Sequence, residues 1–161
     1  MRATNLNAID VLIYSHHKHL VHLEKTALEA FGVKRIEAVQ GQDQLKEAIR
    51  HNYRDIVIIN HMPGMPLGPL VEAIRSESDA SNPYAIVLLM TSTPSRRVIQ
   101  EGIRCGVDGV MALPFTGNDL WRQLVHFVGR NRSFVRTSQY FGPCRRRLHN
   151  IRYQGEERRA D

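Results

Sequence analysis

The sequence contains little cysteine and no long hydrophobic run. Only Cys105 and Cys144 occur among its 161 residues, too few for a disulfide framework, so we expect a reducing, cytoplasmic location. No stretch approaches the roughly 18 consecutive apolar residues of a membrane span, so we predict no membrane insertion. The first ten residues, MRATNLNAID, lack the apolar run of a secretory signal.

Acidic residues are scarce at one end of the chain, which makes the charge uneven. The formal net charge is +6. Residues 1–129 contain 13 Lys and Arg and 13 Asp and Glu, whereas residues 130–161 contain nine Arg and three acids. Hydrophobic residues make up 42% of the chain, too many for wholesale disorder. We therefore expect a neutral, folded body followed by a basic extension.

Short, β-branched apolar runs alternate along the body with segments of helical periodicity. The runs predict five strands buried on both faces, at 9–14, 35–39, 55–59, 85–90 and 109–112. The segments between them predict helices at 17–31, 42–51, 67–76, 94–105 and 117–129. The first helix is expected to pack through Leu20, Leu23, Ala27 and Ala30. Five such repeats are typical of an α/β fold with a doubly wound parallel sheet.

The periodicity fades from residue 131, and Gly142-Pro143 interrupts what remains. We therefore divide the chain into a folded domain, 1–130, and an Arg-rich C-terminal extension, 131–161, that is flexible or partly packed on the body.

Four segments together resemble the receiver domain of the response regulator family. They are VLIYSHH, DIVIIN followed by MPGM, AIVLLMTS and CGVDGVMALPF, and the resemblance covers roughly residues 9–129. It implies a CheY-like, flavodoxin-like domain with five parallel strands in the order 2-1-3-4-5. It also implies a place in two-component signalling.

The residues that carry out phosphotransfer in that family are mostly replaced in this sequence. An aspartate at the end of strand three accepts the phosphoryl group, two acids after strand one bind Mg²⁺, and a lysine after strand five and a hydroxyl after strand four contact the phosphate. The resemblance aligns these positions with Asn60, with Ser15 and His16, with Leu113 and with Thr91. An amide is no phosphoryl acceptor, and Ser15 and His16 offer Mg²⁺ no carboxylate. We therefore predict a degenerate pocket with no catalytic residue, metal or cofactor.

This pattern predicts a pseudo-receiver that is not an enzyme and acts through protein–protein contact. The aromatic residue that the family often uses for switching is Val110 here, so we expect a body held near one conformation. By resemblance, the region 94–129 would contact a histidine kinase, another response regulator or an output protein. A homodimer also stays open.

The extension offers a second hypothesis, in which the chain binds an anionic ligand. Aromatic residues are interleaved with its arginines, and this combination suits phosphate and base recognition. The ligand would be a cyclic dinucleotide or a nucleic acid, and the candidate binding residues are Arg136, Arg145, Arg146, Arg147 and Arg152. Two alternatives stay open: a solvated basic tail, or a segment whose aromatics pack on the body while its arginines pair with acids.

Two further groups of residues have both a functional and a structural interpretation. His16, His19 and His22 recur every three residues, but no cysteine lies near them, so we expect a polar helix start rather than a zinc site. Cys105 precedes Gly106 at a helix end and is expected to be structural. Cys144, beside Arg145, is either a reactive thiol or an incidental residue of the extension.

Overall fold

The computed structural model describes residues 6–130 and 132–145, and within them five strands alternate with five helices before a terminal hairpin. A single 3₁₀ turn, Leu6–Ala8, precedes the first strand. The elements of the body are β1 Asp10–Tyr14, α1 Lys18–Ala30, β2 Arg35–Val39, α2 Gln42–His51, β3 Ile56–His61, α3 Leu67–Arg75, β4 Ile86–Thr91, α4 Arg96–Cys105, β5 Gly109–Ala112 and α5 Gly117–Val128. The hairpin consists of β6, Phe134–Thr137, and β7, Tyr140–Pro143.

The five strands of the body form one parallel sheet in the order β2-β1-β3-β4-β5, as predicted. Its two central strands, β3 and β4, are buried at every residue. Side chains alternate between the faces of a strand, so these residues contribute in turn to two apolar layers. One layer packs against α2, α3 and α4, and the other against α1 and α5. The doubly wound α/β fold expected from the sequence is therefore confirmed.

Helix ends in the second half of the body follow from local sequence. The Thr116 hydroxyl accepts a hydrogen bond from the Asp119 backbone N–H, and the Asp119 carboxylate accepts one from the Thr116 N–H, which starts α5 with a capping box. Ser95 caps α4 through Val98 N–H. Gly106 ends α4 at φ +104°, a conformation that favours glycine. These signals explain why α4 and α5 begin and end close to their predicted limits.

The face that α1 turns toward the sheet differs from the prediction. Glu24 and Leu28 are its buried residues, whereas the Leu23 side chain is 59% exposed. Glu24 and Leu28 are four residues apart and therefore lie on one face of the helix. Compared with the predicted face through Leu23 and Ala27, this face is rotated by about one residue. The fold thus buries the Glu24 carboxyl on the face of α1 that packs on the sheet, where the periodicity predicts an apolar residue.

The hairpin packs on the body, although the sequence pattern predicts no secondary structure for it. The rings of Phe134 and Phe141 contact the Tyr84 ring, with centroids 4.9 and 5.4 Å away. The Arg75 guanidinium lies over the Phe134 ring at 5.1 Å. β6 and β7 pair only with each other in an antiparallel ladder, separate from the main sheet. Aromatic and cation–π contacts therefore attach the hairpin to the body.

A buried carboxylate, Asp108, connects the hairpin with the sheet. Its Oδ2 accepts hydrogen bonds from the Val87 backbone N–H, at 2.8 Å, and from Arg75 Nη2, at 2.9 Å. Its Oδ1 accepts one from Arg132, just before the hairpin. Arg75 also donates to the backbone carbonyls of Pro83, Ala85 and Gly106. One carboxylate thus forms ion pairs with two guanidinium groups from different parts of the chain.

Replacing Asp108 with asparagine should destabilise the whole domain. The side chains of Arg75 and Asp108 are only 4% and 1% exposed, so the change leaves a buried cation without its counter-charge. We expect the free energy of unfolding in urea to fall by about 3 kcal/mol. Glu77→Gln, which removes the exposed partner of Arg136, is the matched control and should leave the unfolding midpoint nearly unchanged. Equal midpoints for Asp108→Asn and the wild type would contradict this assignment.

Candidate functional site

The residues predicted to form the degenerate pocket lie at the carboxyl edge of the sheet. Ser15 follows β1, Asn60 is the penultimate residue of β3, Thr91 ends β4 and Leu113 follows β5. Ser15 and Thr91 are fully buried, and Asn60 is 2% exposed. The parallel register pairs Asn60 with Met90 and His61 with Thr91. The fold therefore brings these backbone positions to one edge.

Asn60 is bonded to a carboxyl that the sequence pattern does not single out. Its Nδ2 donates a hydrogen bond of 3.0 Å to Glu24 Oε2, and both side chains are buried. Burial raises the pKa of Glu24 to about 7, and the hydrogen bond from Asn60 opposes part of that rise. A carboxyl thus lies next to Asn60, but it comes from the middle of α1 rather than from a strand end.

Two buried oxygen atoms of this pair have no hydrogen-bond partner among the described residues. They are Glu24 Oε1 and Asn60 Oδ1. When the carboxyl is ionised, both atoms are acceptors and neither satisfies the other. Protonation adds a donor to the carboxyl and removes its buried charge. The hydrogen-bonding capacity of the pair and the raised pKa of Glu24 therefore both favour the protonated form.

The side chains of Asn60 and Thr91 leave the sheet on opposite faces. Asn60 is paired in register with Met90, which belongs to the apolar layer beneath α1 and α5. Thr91 follows Met90 directly, so its side chain lies on the other face, together with that of His61. The Asn60 amide and the Thr91 hydroxyl could therefore contact the same ligand only if it lay beyond the ends of the two strands.

The polar atoms of the remaining pocket residues bond to near neighbours. Ser15 Oγ accepts a hydrogen bond of 3.1 Å from the His17 N–H, and the exposed His16 ring contacts the Tyr14 hydroxyl through Nε2 at 3.3 Å. Thr91 Oγ1 accepts a 3.1 Å hydrogen bond from the Thr93 N–H. These contacts organise the loops after β1 and β4. The side chains are used locally rather than aimed together into a shared site.

The two apolar positions of the predicted pocket pack in opposite layers. Leu113 is half-buried against the layer beneath α1 and α5, and its backbone N–H bonds to Thr91 O at 2.8 Å. Val110 is half-buried against the other layer, close to Gly102 of α4. Neither side chain can bind an anion. Val110 packs between β5 and α4, and an aromatic ring at this position would need more room than valine occupies.

The donor atoms at this edge do not fit a magnesium ion. Mg²⁺ is bound in proteins through carboxylates and water, and a hydroxyl, an imidazole and an amide stand at the aligned positions Ser15, His16 and Asn60. Over residues 6–130 and 132–145, no group of three or more His, Cys, Asp or Glu side chains is arranged to hold a metal.

Two arginines named as anion-binding candidates have partners on the protein. Arg136 forms an ion pair with Glu77 and lies over the Phe141 ring at 4.8 Å. Arg145 donates to the Arg104 backbone carbonyl and stacks on the Tyr140 ring at 3.9 Å. Arg146, Arg147 and Arg152 lie outside the described residues. Arg136 thus pairs with an acid, as in the alternative without an anionic ligand, whereas Arg145 bonds to a backbone carbonyl.

The sequence pattern does not identify Glu24, because the face of α1 predicted to pack on the sheet, through Leu20, Leu23 and Ala27, does not include it. Val21, Glu24, Leu28 and Phe31 repeat at spacings of three and four, which is the alternative stripe on the same helix. A single acid within that stripe is interpreted as a solvated residue when only the sequence is considered. The same holds for Asp108, whose partners Arg75 and Arg132 are remote in sequence.

Among the residues that the structure describes, no helix is both long enough and apolar enough to cross a membrane.

The stability of the protein should fall as the pH rises toward neutrality, because of Glu24. Its folded-state pKa, about 7, lies above the ordinary value of 4.5, so the folded protein binds the proton more tightly than the unfolded chain. The stabilising contribution of Glu24 is therefore fully present below pH 4.5 and is lost, by about 3 kcal/mol in total, as the pH rises from there through 7. Glu24→Gln keeps a neutral hydrogen-bonding side chain and should remove this decline.

The measurement is urea unfolding of wild type and Glu24→Gln at a series of pH values from about 5 to 8. Glu29→Gln, on the exposed side of the same helix, controls for the loss of one acidic group. Parallel pH curves for the wild type and Glu24→Gln would show that Glu24 titrates as it does in the unfolded chain.

Comparisons with known proteins give a likeness in structure only. No family model matches the sequence, and no curated protein matches it. The chemotaxis response regulator CheY4 of Vibrio cholerae matches with a TM-score of 0.64 and 22% identity, over 73% of this chain and 97% of that one. A signal receiver domain of an HD domain-containing protein from Pseudomonas fluorescens matches with a TM-score of 0.65 and 17% identity, over 75% and 94% of the two chains. The response regulator RPA3017 in red light signaling of R. palustris matches with a TM-score of 0.63 and 19% identity, over 80% and 99%. The chain therefore has the fold of response regulator receiver domains.

Proposed function

We propose that this chain is a non-phosphorylatable, receiver-like module of a two-component phosphorelay system that acts by protein–protein contact. The fold is that of receiver domains, among them a chemotaxis response regulator and a response regulator in red light signaling. The observation that carries the proposal is the state of Asn60. It is buried, and its amide nitrogen is bonded to Glu24.

Asn60 has neither the charge nor the freedom of a phosphoryl acceptor. A neutral amide lacks the anionic oxygen that attacks phosphorus. Nor would a change to aspartate by itself create a receiver site, because Glu24 Oε2 lies 3.0 Å from the amide nitrogen. Two carboxyl groups at that distance would share a proton, so one of them would stay neutral. Leu113 adds no positive charge, and Ser15 and His16 add no carboxylate.

The surface proposed for protein contact is the region 94–129, which includes α4, β5 and α5. α4 exposes the apolar side chain of Ile99 (36% exposed), with Arg96, Arg97 and Arg104 exposed on the same helix. A partner with acidic groups around an apolar side chain would complement this helix. The candidate partners are a histidine kinase, another response regulator, an output protein or a second copy of this chain.

The wild-type protein should remain unmodified when incubated with Mg²⁺ and a small phosphodonor such as acetyl phosphate. Intact-mass spectrometry should find no species carrying one phosphoryl group. The one tryptophan, Trp121, packs on Phe31 in the layer beneath α1 and α5, with ring centroids 4.9 Å apart. Its fluorescence should not change when Mg²⁺ and beryllofluoride, a phosphoryl mimic, are added together.

Asn60→Asp is the matched variant, and we expect it to remain unmodified as well. The new carboxyl would share a proton with Glu24, and Ser15 and His16 supply no metal-binding carboxylate. A phosphorylatable receiver domain assayed in parallel establishes that the phosphodonor is active. A stoichiometric, acid-labile phosphoryl adduct on the wild type would overturn the proposal.

Binding of a cyclic dinucleotide or nucleic acid through the extension is the second candidate. It is favoured by the nine arginines and three acids in residues 130–161. Arg136 and Arg145 already have partners, so an anion would have to displace Glu77 or the Tyr140 contact to reach them. The run Arg145-Arg146-Arg147 is therefore the part of the extension to test.

This candidate predicts that replacing Arg145, Arg146 and Arg147 together with alanine weakens binding to a fluorescent oligonucleotide. The slope of log affinity against log salt should fall by about one unit for each arginine–phosphate interaction that the substitutions remove, measured by fluorescence anisotropy. Arg96→Ala with Arg97→Ala, on α4, is the control for a loss of positive charge elsewhere. If the wild type shows no salt-dependent binding to the oligonucleotide or to a cyclic dinucleotide, this function is excluded.

A further inference from the structure

The two cysteines of the chain lie on either side of the contact between α4 and the hairpin. Cys105 is the last residue of α4, and Cys144 directly follows β7. Both are free thiols and both are half-buried. No other cysteine occurs in the sequence. Each cysteine therefore has only the other as an intramolecular partner for a disulfide.

The backbones on the two sides of this contact approach closely at two glycines. A Cβ atom added to Gly142 would lie 3.2 Å from Gly106 Cα, and one added to Gly106 would lie 3.4 Å from Phe141 O. The Tyr140 ring lies beside both glycines, and its hydroxyl donates to Pro143 O at 2.8 Å. A side chain at position 142 would crowd the Tyr140 ring and Gly106 Cα, so glycine there allows the end of α4 and β7 to lie this near.

A second contact shows that the two segments run in opposite directions. The Arg145 guanidinium donates to the Arg104 carbonyl, while Gly142 lies against Gly106. Across this contact, residue numbers therefore decrease along α4 while they increase from β7 onward. Cys105 lies between the two contacts on one side, and Pro143 and Cys144 lie between them on the other. Each cysteine therefore lies on its own segment between the two contacts.

We propose that Cys105 and Cys144 form a redox modification site at which a peroxide converts the two thiols into an intramolecular disulfide joining α4 to the hairpin. The thiolate of one cysteine attacks a peroxide oxygen and breaks the O–O bond, which gives a sulfenic acid and a hydroxide that takes up the proton released by the thiol to form water. The second thiol then attacks the sulfenic sulfur, forms the S–S bond and releases a second water. In total, two thiols and one hydrogen peroxide give one disulfide and two waters.

The surroundings of Cys105 disfavour it for the first of these steps. Burial, with the nearby Glu101 carboxylate, raises the pKa of Cys105, and the Arg145 cation only partly opposes that rise. Its thiol therefore stays protonated at neutral pH and is a poor first nucleophile. We assign the first attack to Cys144 and the resolving step to Cys105.

The disulfide would change how the hairpin is held. In the reduced protein, the hairpin is attached through Asp108, the Tyr84 ring and the Arg145–Arg104 hydrogen bond. In the oxidised protein, a covalent loop from residue 105 to residue 144 would enclose β5, α5 and both strands of the hairpin. The carboxyl end of α4, within the region 94–129, would then be fixed to the hairpin by a bond that a reductant can break.

The test is treatment of the full chain with hydrogen peroxide, followed by alkylation with N-ethylmaleimide in denaturant and intact-mass analysis. We expect a monomer that has lost two hydrogen atoms, takes up no maleimide and recovers both alkylation sites after dithiothreitol. Oxidation should also raise the melting temperature by roughly 5 to 10 °C, as a closed loop of this length predicts. The double variant Cys105→Ser with Cys144→Ser should show no such shift.

Moving one cysteine separates proximity from general thiol reactivity. Cys144→Ser combined with Ser138→Cys keeps two cysteines but puts the second in the exposed turn between β6 and β7. We expect no intramolecular disulfide in this variant. The proposal is overturned if the oxidised wild type still takes up two maleimides, gains oxygen atoms instead of losing hydrogens, or forms only intermolecular disulfides. It is also overturned if the relocated pair forms a disulfide as readily as the native pair.

Discussion

Asp108 is the group on which the second half of the fold depends. It is almost fully buried between β4 and β5, and it forms ion pairs with Arg75 from α3 and with Arg132 from the segment before the hairpin. The buried guanidinium of Arg75 would carry a large desolvation cost without this carboxylate, and the half-buried Arg132 shares it, so the positions of α3, the start of β4 and the hairpin are linked through one acid. The aromatic contacts to Tyr84 and the approach of Gly142 to Gly106 follow from that placement.

The opposite edge of the sheet is organised by a different acid. The resemblance to receiver domains implies carboxylates at the ends of strands, whereas here Glu24 lies beneath Asn60 next to an apolar layer. A carboxyl in that environment is stable only when it is neutral or well hydrogen-bonded, and within the described part of the chain it accepts a hydrogen bond from the amide of Asn60. A buried carboxyl that is hydrogen-bonded to an amide, in place of an exposed acid, is the physical basis of the proposed inability to accept a phosphoryl group.

The sequence was sufficient for the five strands, the five helices and the strand order, because fully buried strands and amphipathic helices produce clear and different periodicities. It was not sufficient for the hairpin. Its two short strands mix arginine, glycine and proline with apolar residues, and Arg132 and Arg136 are explained only by the acids Asp108 and Glu77 of the folded body. Nor could it identify the Glu24–Asn60 pair, because two competing stripes on α1 differ by a rotation of about one residue and only tertiary packing chooses between them.

The ion pair between Arg132 and Asp108 also bears on where the cooperative unit of folding ends. A fragment that stops at residue 130 retains every strand of the parallel sheet, yet it loses one of the two cations on Asp108 and uncovers the Tyr84 ring. Such a fragment would open more readily near the start of β4 and β5, and amide hydrogens there would exchange faster with solvent. Residues 132–145 thus belong to the same folding unit as the sheet, even though they add no strand to it.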